Sequence, residues 1–545
     1  MDFEQPTPPK KHNVFLPILL SLVLVIGLWL GYFLSKNLAG GNSVTQNYHA
    51  STNDKINSML DYIEYQYVDT INKKDLVEKT VTSMLQSLDP HSSYIPASEF
   101  EEVNEPLEGN FNGIGVEFNI IRDTIRVVTP IADGPSEKIG VRAGDKFIKV
   151  DGKNVAGIKI TNKEVFEKLR GKSGSTVVVT VLRTGVAKPL EFKIVRDAIP
   201  LYSLDASYMV NKEIGYIKIS KFAATTYAEY LKAFNTLSKQ GMKKLILDLR
   251  GNPGGYLNAA VDISDEFLAN GLQIVYTQGK ANPKKTYKAT EHGSFENNDL
   301  AILIDEGSAS ASEIVAGAIQ DNDRGTIIGR RSFGKGLVQD QLQLPDGSAI
   351  RLTIARYYTP TGRCIQKPYS DDKSSYYSEE YDRYEHGELL NEDSIKLDKS
   401  KLYKTPEGKI VYGGGGIMPD VFVPIDTAKS NAFLNKAFYI GAINTFAFEY
   451  ADKNRDNIKK FGSAQKFIDE FEINNSILEE FYNFCEKQNL KVLKILKEKT
   501  NAALKPYLKA YIGRDVFEKD AYYPIINKND KCILKATEVL SKEKI

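Results

Sequence analysis

The chain has 545 residues, 42% hydrophobic and 26% charged, and its 71 Lys and Arg against 70 Asp and Glu leave a formal net charge of +1. That length predicts three or four domains with ample core, and the charge balance excludes the basic field that draws nucleic acid. Three scattered cysteines, Cys364, Cys485 and Cys532, exclude a disulfide framework or a zinc site. Taken in order, residues 1–13 are polar and Pro-rich and end near Lys10 and Lys11. Residues 14–35 are apolar apart from Ser21 and one proline over 14–34, long enough to cross a bilayer. The lysines before them put the N-terminus in the cytoplasm, so a membrane anchor is expected, with the rest of the chain outside the cytoplasm, on the periplasmic face in a bacterium. A cleaved signal peptide is the alternative, but the run is long for one and no small-x-small site follows. Residues 36–50 read as a Gly/Asn/Ser/Thr-rich linker. Over 51–108, Ile56, Met59, Leu60, Ile63 and Tyr67 fall at helical spacing, and Leu76, Val77, Val81, Met84 and Leu85 form a second amphipathic run. His91, between a proline and two serines, reads as a turn or capping residue.

Residues 109–198 change period. Short alternating strands begin at Gly113-Ile114-Gly115-Val116, a short helix follows at Pro135-Ser136-Glu137, and Val141-Arg142-Ala143-Gly144-Asp145 leads a turn into a strand. A helix over 162–169 and strands over 177–182 and 190–195 close the unit. This unit resembles a PDZ domain. Such a domain takes a peptide by adding it as a strand to a sheet edge and holds its terminal carboxylate on loop N–H groups. Here the carboxylate loop would be Gly113, Ile114, Gly115 and Val116. Arg170 leaves the helix just before the final strands, and two readings stand: a solvent-facing arginine, or a relay that touches the catalytic region when the unit is loaded.

Over 199–426 apolar runs such as Leu245-Ile246-Leu247 and Leu300-Ala301-Ile302-Leu303-Ile304 alternate with helical stretches, predicting a multidomain α/β protein with a largely parallel sheet here. A hairpin is expected around Pro345-Asp346-Gly347-Ser348. Residues 370–406 are polar and Tyr-rich and read as a surface insertion. From 427 to 545 the pattern is helical, with an apolar stripe through Phe433, Leu434, Phe467, Phe471, Val492, Leu493, Ile495 and Leu496. It predicts a packed helical domain with surface enough for a homo-oligomer or a substrate gate.

Three motifs carry chemistry: Asn252-Pro253-Gly254-Gly255 after a strand, Ser308-Ala309-Ser310-Ala311-Ser312-Glu313 opening a helix, and Phe333-Gly334-Lys335-Gly336 with Gln339 four residues past the lysine. A serine at a helix start, a Gly-Gly anion site and a lysine without a nearby acidic partner suggest acyl transfer by a Ser–Lys pair. On residues alone, Ser308 and Ser312 compete with Ser310. Together the motifs resemble the carboxy-terminal processing (tail-specific) serine peptidases over roughly 50–430. That resemblance implies a crotonase-like core, Ser310 as nucleophile, Lys335 as general base and Gln339 as its orienter, acting on protein or peptide substrates with apolar C-termini.

The lysine must be neutral to act, so burial must lower its pKa. Gln339 can hold the amine without adding negative charge. Backbone N–H groups of Ala311, at a helix start, and of Gly255 are the expected oxyanion donors. Asp248 and Asp321 read as structural. A Ser-His-Asp hydrolase is the nearest rival, but no Gly-x-Ser-x-Gly elbow surrounds Ser310; a non-catalytic PDZ scaffold on a peptidase-like fold is the other. No nucleotide loop and no metal-ligand cluster is present, so neither a cofactor nor a metal is expected.

Overall fold

The computed structural model describes residues 15–38, 52–370, 373–427, 431–491 and 497–542. The expected N-terminal stretch 1–13, most of the 36–50 linker and the stripe Val492, Leu493, Ile495 and Leu496 lie outside the described residues. The chain divides into two units, 1–77 and 78–545.

The first unit opens with the 24-residue helix Phe15–Leu38. Its side chains are described without a break only over 21–33, among them Leu22 at 57% and Trp29 at 67% exposure. Among the described residues no helix is long and apolar enough to cross a membrane, so the anchor expected over 14–35 draws no support from the fold. Helix Thr52–Gln66 follows. At the start of helix Lys73–Gln86, Lys73 pairs with Asp61 and Glu64, each at 2.8 Å. Such exposed, solvent-screened pairs contribute little to stability.

In the second unit the chain enters residues 109–198 on strand Asn110–Gly113 and leaves on Asp197–Pro200, which pair antiparallel. Between them Val116–Ile120, Ile125–Pro130, Lys146–Val150, Thr176–Leu182 and Leu190–Val195 form an antiparallel sheet in the order first, second, third, fourth, fifth. Alternation puts Ile125, Val127, Phe147, Val177, Val179 and Val181 inside, each fully buried. Helix Asn162–Leu169 starts on a capping box between Thr161 and Glu164 and closes the core with Val165 and Leu169.

The α/β region is built on a six-stranded sheet ordered Leu204–Met209, Ile214–Ile219, Lys244–Asp248, Leu300–Ile304, Thr326–Gly329 and Val421–Phe422. Every pairing is parallel except that of the first, edge strand. A parallel sheet must be covered on both faces, and the two sides of each strand go to different covers. Leu245, Leu247, Ile302, Ile304 and Ile327 pack under helices Thr226–Lys239, Leu257–Asp265 and Ala311–Asp321. Ile246, Ala301, Leu303 and Ile328 pack instead under the last helix, Lys531–Ser541, against Cys532, Ile533, Ala536 and Leu540. The predicted hairpin is longer than the turn signal implied: Leu337–Gln343 pairs with Ala349–Tyr358.

The C-terminal helices have their own core, centred on Phe446, Phe467, Phe481 and Leu508. They also touch the PDZ-like module. Phe448, fully buried, fills a cluster with Ile121 and Val128, and Arg122 pairs with Glu449 at 3.0 Å. Most of the described part of the 370–406 segment is exposed. Its helix Lys373–Glu385 buries Tyr376 and Arg383 against the core, because tyrosine and arginine offer apolar bodies along with their polar ends.

Candidate active site

Strand Leu300–Ile304 leads through residues 305–309 into helix Ala311–Asp321, whose eleven residues are all buried. The three competing serines separate here. The Ser308 hydroxyl is buried, donates to the Leu249 carbonyl at 2.8 Å and accepts the Asp305 N–H. The Ser312 hydroxyl is buried and donates to the Asn252 carbonyl at 2.9 Å. Ser310 is the one left partly exposed, and its backbone is held at φ 54°, ψ −110°. A non-glycine residue there costs about 1–3 kcal/mol and persists only where the surroundings impose it.

Those surroundings include Gly254. A β-carbon on Gly254 would lie 2.8 Å from the Ser310 β-carbon and 2.9 Å from the Ala311 nitrogen. At Gly255 it would lie 2.0 Å from the Phe222 carbonyl oxygen, so neither position admits a larger residue. The Gly254 N–H donates to Asn252 Oδ1 at 2.9 Å. Phe222 and Gly255 form a parallel bridge in which Phe222 bonds the Gly254 carbonyl and the Tyr256 N–H. That pattern leaves the Gly255 N–H out of the bridge. Among the described residues it has no hydrogen-bond partner, and neither has the Ala311 N–H at the first helical position.

Lys335 Nζ donates to Gln339 Oε1 at 3.0 Å. Gln339 sits beside a bulge, where the register slips between Val338 and Gln339; bulges commonly re-aim a side chain. Its Nε2 donates to the His91 carbonyl at 2.6 Å. A backbone carbonyl can only accept, so it fixes which end of the amide faces the lysine. Burial lowers the Lys335 pKa and the nearby Arg351 charge lowers it further, while Asp89 and Glu313 work the other way.

Glu313 is the site residue the motifs did not single out. It is fully buried. Its Oε2 accepts the Ser310 and Lys335 backbone N–H groups at 2.8 and 2.9 Å, and its Oε1 accepts the Gly334 N–H and the Ser332 hydroxyl at 2.7 and 2.5 Å. Burial raises its pKa against those four donors. The Tyr357 hydroxyl lies 3.1 Å from the Ser310 carbonyl oxygen and 2.8 Å from that of Lys335. Nothing local in the sequence pairs these residues; a glutamate three positions after Ser310, where a capping partner would sit, was the only available signal.

The other candidates fall into structural places. Burial works to raise the Asp248 carboxyl, but the Arg250 and Lys218 charges and the Tyr216 hydroxyl hold it far below the usual range. Asp321 pairs with the buried Arg363 at 2.5 Å. Among the described residues no histidine hydrogen-bonds Ser310; His91 bonds Tyr376 through Nε2, and the exposed His386 ring bonds the Asp382 carbonyl. No group of three or more His, Cys, Asp and Glu suited to a metal occurs among them.

In the PDZ-like module the Ile114 carbonyl accepts the Ser136 N–H and hydroxyl, and the Gly115 carbonyl accepts the Ile131 N–H. In a trans peptide the next N–H points the opposite way, so the Gly115 and Val116 N–H groups face away from those contacts. Val116–Ile120 is the edge strand, and Phe118 meets Phe166 of helix Asn162–Leu169 edge-on at 5.6 Å. Arg170 is neither solvent-facing nor in contact with Lys335 or Gln339. It bonds Glu105 of helix Phe100–Glu108 at 2.5 Å, between the rings of Phe111 and Phe166.

The profile of Peptidase family S41 matches residues 213–372, a PDZ domain profile matches 126–183, and a family of unknown function matches 433–518. The carboxy-terminal-processing protease of Bartonella bacilliformis is 40% identical over 345 residues, 62% of this chain and 78% of that one. The carboxy-terminal processing protease CtpA of Bacillus subtilis is 34% identical over 363 residues, 66% of this chain and 76% of that one. The chain therefore belongs to the carboxy-terminal processing proteases of peptidase family S41, which are serine peptidases. The solved photosystem II D1 C-terminal processing protease is 25% identical and covers 69% of this chain and 88% of its own, with a TM-score of 0.36 that adds nothing to the assignment.

Proposed function

We propose that this chain is an endopeptidase that cleaves proteins after recognising their C-terminal tails, with Ser310 as nucleophile, Lys335 as general base and Gln339 as its orienter. The observation that carries the reading is the separation of the three serines: two hydroxyls are buried in structural bonds, and the strained, accessible Ser310 shares Glu313 and Tyr357 with Lys335. The neutral Lys335 amine takes the Ser310 proton as Oγ attacks the scissile carbonyl. The resulting ammonium returns that proton to the leaving amine, and water then hydrolyses the acyl-enzyme. The Gly255 and Ala311 N–H groups stabilise the oxyanion. Ser310→Ala and Lys335→Ala should each abolish peptide hydrolysis without changing the circular dichroism spectrum, and the double variant should lose no more. Near-normal activity of Lys335→Ala at neutral pH would sink the dyad.

The Gly113-Ile114-Gly115-Val116 loop would hold the terminal carboxylate, with the last apolar side chain in the groove beside Val116–Ile120. The outward N–H groups of Gly115 and Val116 and the open strand edge support this. Arg170 would couple that loop to the core through Glu105. Amidating the substrate's C-terminus and making Arg170→Ala should each slow cleavage of tailed substrates; equal rates would leave the module passive. We also place the catalytic part outside the cytoplasm on an uncleaved anchor. The apolar run over 14–34, preceded by Lys10 and Lys11, is what motivates this placement. Retention in the membrane fraction after a salt wash supports the anchor, and a soluble enzyme starting near residue 40 refutes it.

A further inference from the structure

The helix Lys373–Glu385 of the 370–406 insertion approaches the one short turn that the base depends on. Tyr376 Oη lies 2.8 Å from His91 Nε2, and its ring meets the His91 ring edge-on at 5.3 Å. Tyr377 Oη donates to the Pro90 carbonyl at 2.5 Å. Two consecutive tyrosines thus hold two consecutive residues of the turn. The other side of that turn is held by Asp89, whose carboxylate accepts the His91 and Ser92 N–H groups at 2.8 Å each. Between these supports stands the His91 carbonyl, which accepts Gln339 Nε2 and so points Gln339 Oε1 at Lys335.

The tyrosines are suited to this task. Burial raises the pKa of both phenols, so each stays a neutral hydroxyl. The Gln366 amide donates to Tyr376 Oη at 3.3 Å, and Gln366 also accepts the N–H of Gly336, next to the base. Lys367 Nζ stands 4.2 Å from the Tyr376 ring centroid and 4.0 Å from that of Phe333, an arrangement that fixes the ring. The helix therefore grips the catalytic loop and the His91 turn together.

We propose that Tyr376 and Tyr377 are positioning residues for the base, acting through the Pro90–His91 turn on Gln339, an inference that rests on the Ser310–Lys335–Gln339 reading. If the turn loosens, the Gln339 amide is free to rotate. Its NH₂ end can then face Lys335, which disfavours the ammonium and, by donating to the neutral amine, occupies the lone pair that must take the Ser310 proton. The charges facing Lys335 are Arg351 on strand Ala349–Tyr358, Asp89 beside the turn and Glu313 on the nucleophile helix; both tyrosine substitutions leave all three in place.

The test is a pH profile of kcat and KM on a peptide substrate with full-length Tyr376→Phe and Tyr377→Phe. We expect kcat to fall roughly ten- to a hundredfold with KM unchanged, and the rising limb of the profile to move to lower pH. In a Gln339→Ala background the same substitutions should cost nothing further. Unchanged kcat and an unmoved limb, or an equal loss in the Gln339→Ala background, would overturn the proposal. Tyr377 is 60% exposed, so its variant carries the test even where Tyr376→Phe unfolds. Full activity of Lys335→Ala, by contrast, would sink the dyad itself, whatever the tyrosines do.

Discussion

Ser310 and Lys335 are joined through a single oxygen: Glu313 Oε2 accepts the backbone N–H of both, at 2.8 and 2.9 Å. The Ser310 turn and the Lys335 loop follow different strands, and one buried carboxylate sets their spacing.

Glu313→Gln should therefore damage stability and catalysis together. The amide can accept at one end only, so two of the four donors lose their partner. Each buried orphan costs about 1–3 kcal/mol. We expect a fall of about 2–6 kcal/mol in denaturant melts and a lower kcat; wild-type values of both would show that the carboxylate is dispensable.

The pH dependence of kcat/KM should follow the base. With Lys335 as the proposed base, which acts when neutral, the rate should rise with pH through its lowered pKa. Arg351 helps to lower it, and Arg351→Gln raises it again, moving the limb to higher pH. Arg351 also bonds Gln341 Oε1 at 2.9 Å, a contact on the strand that carries Gln339. A limb that stays in place would mean that burial alone tunes the lysine.

Asp515, in the C-terminal helices, is a separate pH element. Burial raises its carboxyl to about 7, against the charges of Arg514 and Arg455. The folded state then binds a proton that the unfolded state has released above about pH 4. Stability contributed by this group is full below that pH and is lost as pH rises towards 7. Asp515→Asn should flatten that decline in thermal melts from pH 4 to 7; parallel curves for the two proteins would count against it.

Phe448 tests the brace between the C-terminal helices and the PDZ-like module. It is fully buried against Ile121 and Val128. Phe448→Ala should cost about 3–5 kcal/mol and increase amide exchange in strand Ile125–Pro130. A loss confined to the helices would show that the two regions melt independently.

Much of this protein is legible in the chain because its signals are local. Leu300-Ala301-Ile302-Leu303-Ile304 reads as a buried strand from composition alone, and helix Asn162–Leu169 has the bounds expected from the sequence. Ser310, Lys335 and Gln339 are legible because each sits in a short motif of constrained residues. What the sequence leaves open is decided by contacts between distant residues. Apart from the family resemblance, residue types leave Ser308, Ser310 and Ser312 in competition, and only the fold buries the hydroxyls of Ser308 and Ser312 on the Leu249 and Asn252 carbonyls. The sequence presents 370–406 as polar surface, yet Tyr376 lies 285 residues from the His91 ring that it holds. Arg170 reads equally well as solvent-facing or as a relay that touches the catalytic region when the unit is loaded, and the partner it takes in this fold is Glu105, 65 residues away. Periodicity and motif spacing report on neighbours within a turn or a strand. The partner of a buried polar atom is chosen by whichever distant segment the packed core brings within 3 Å of it, and that choice exists only in the folded chain.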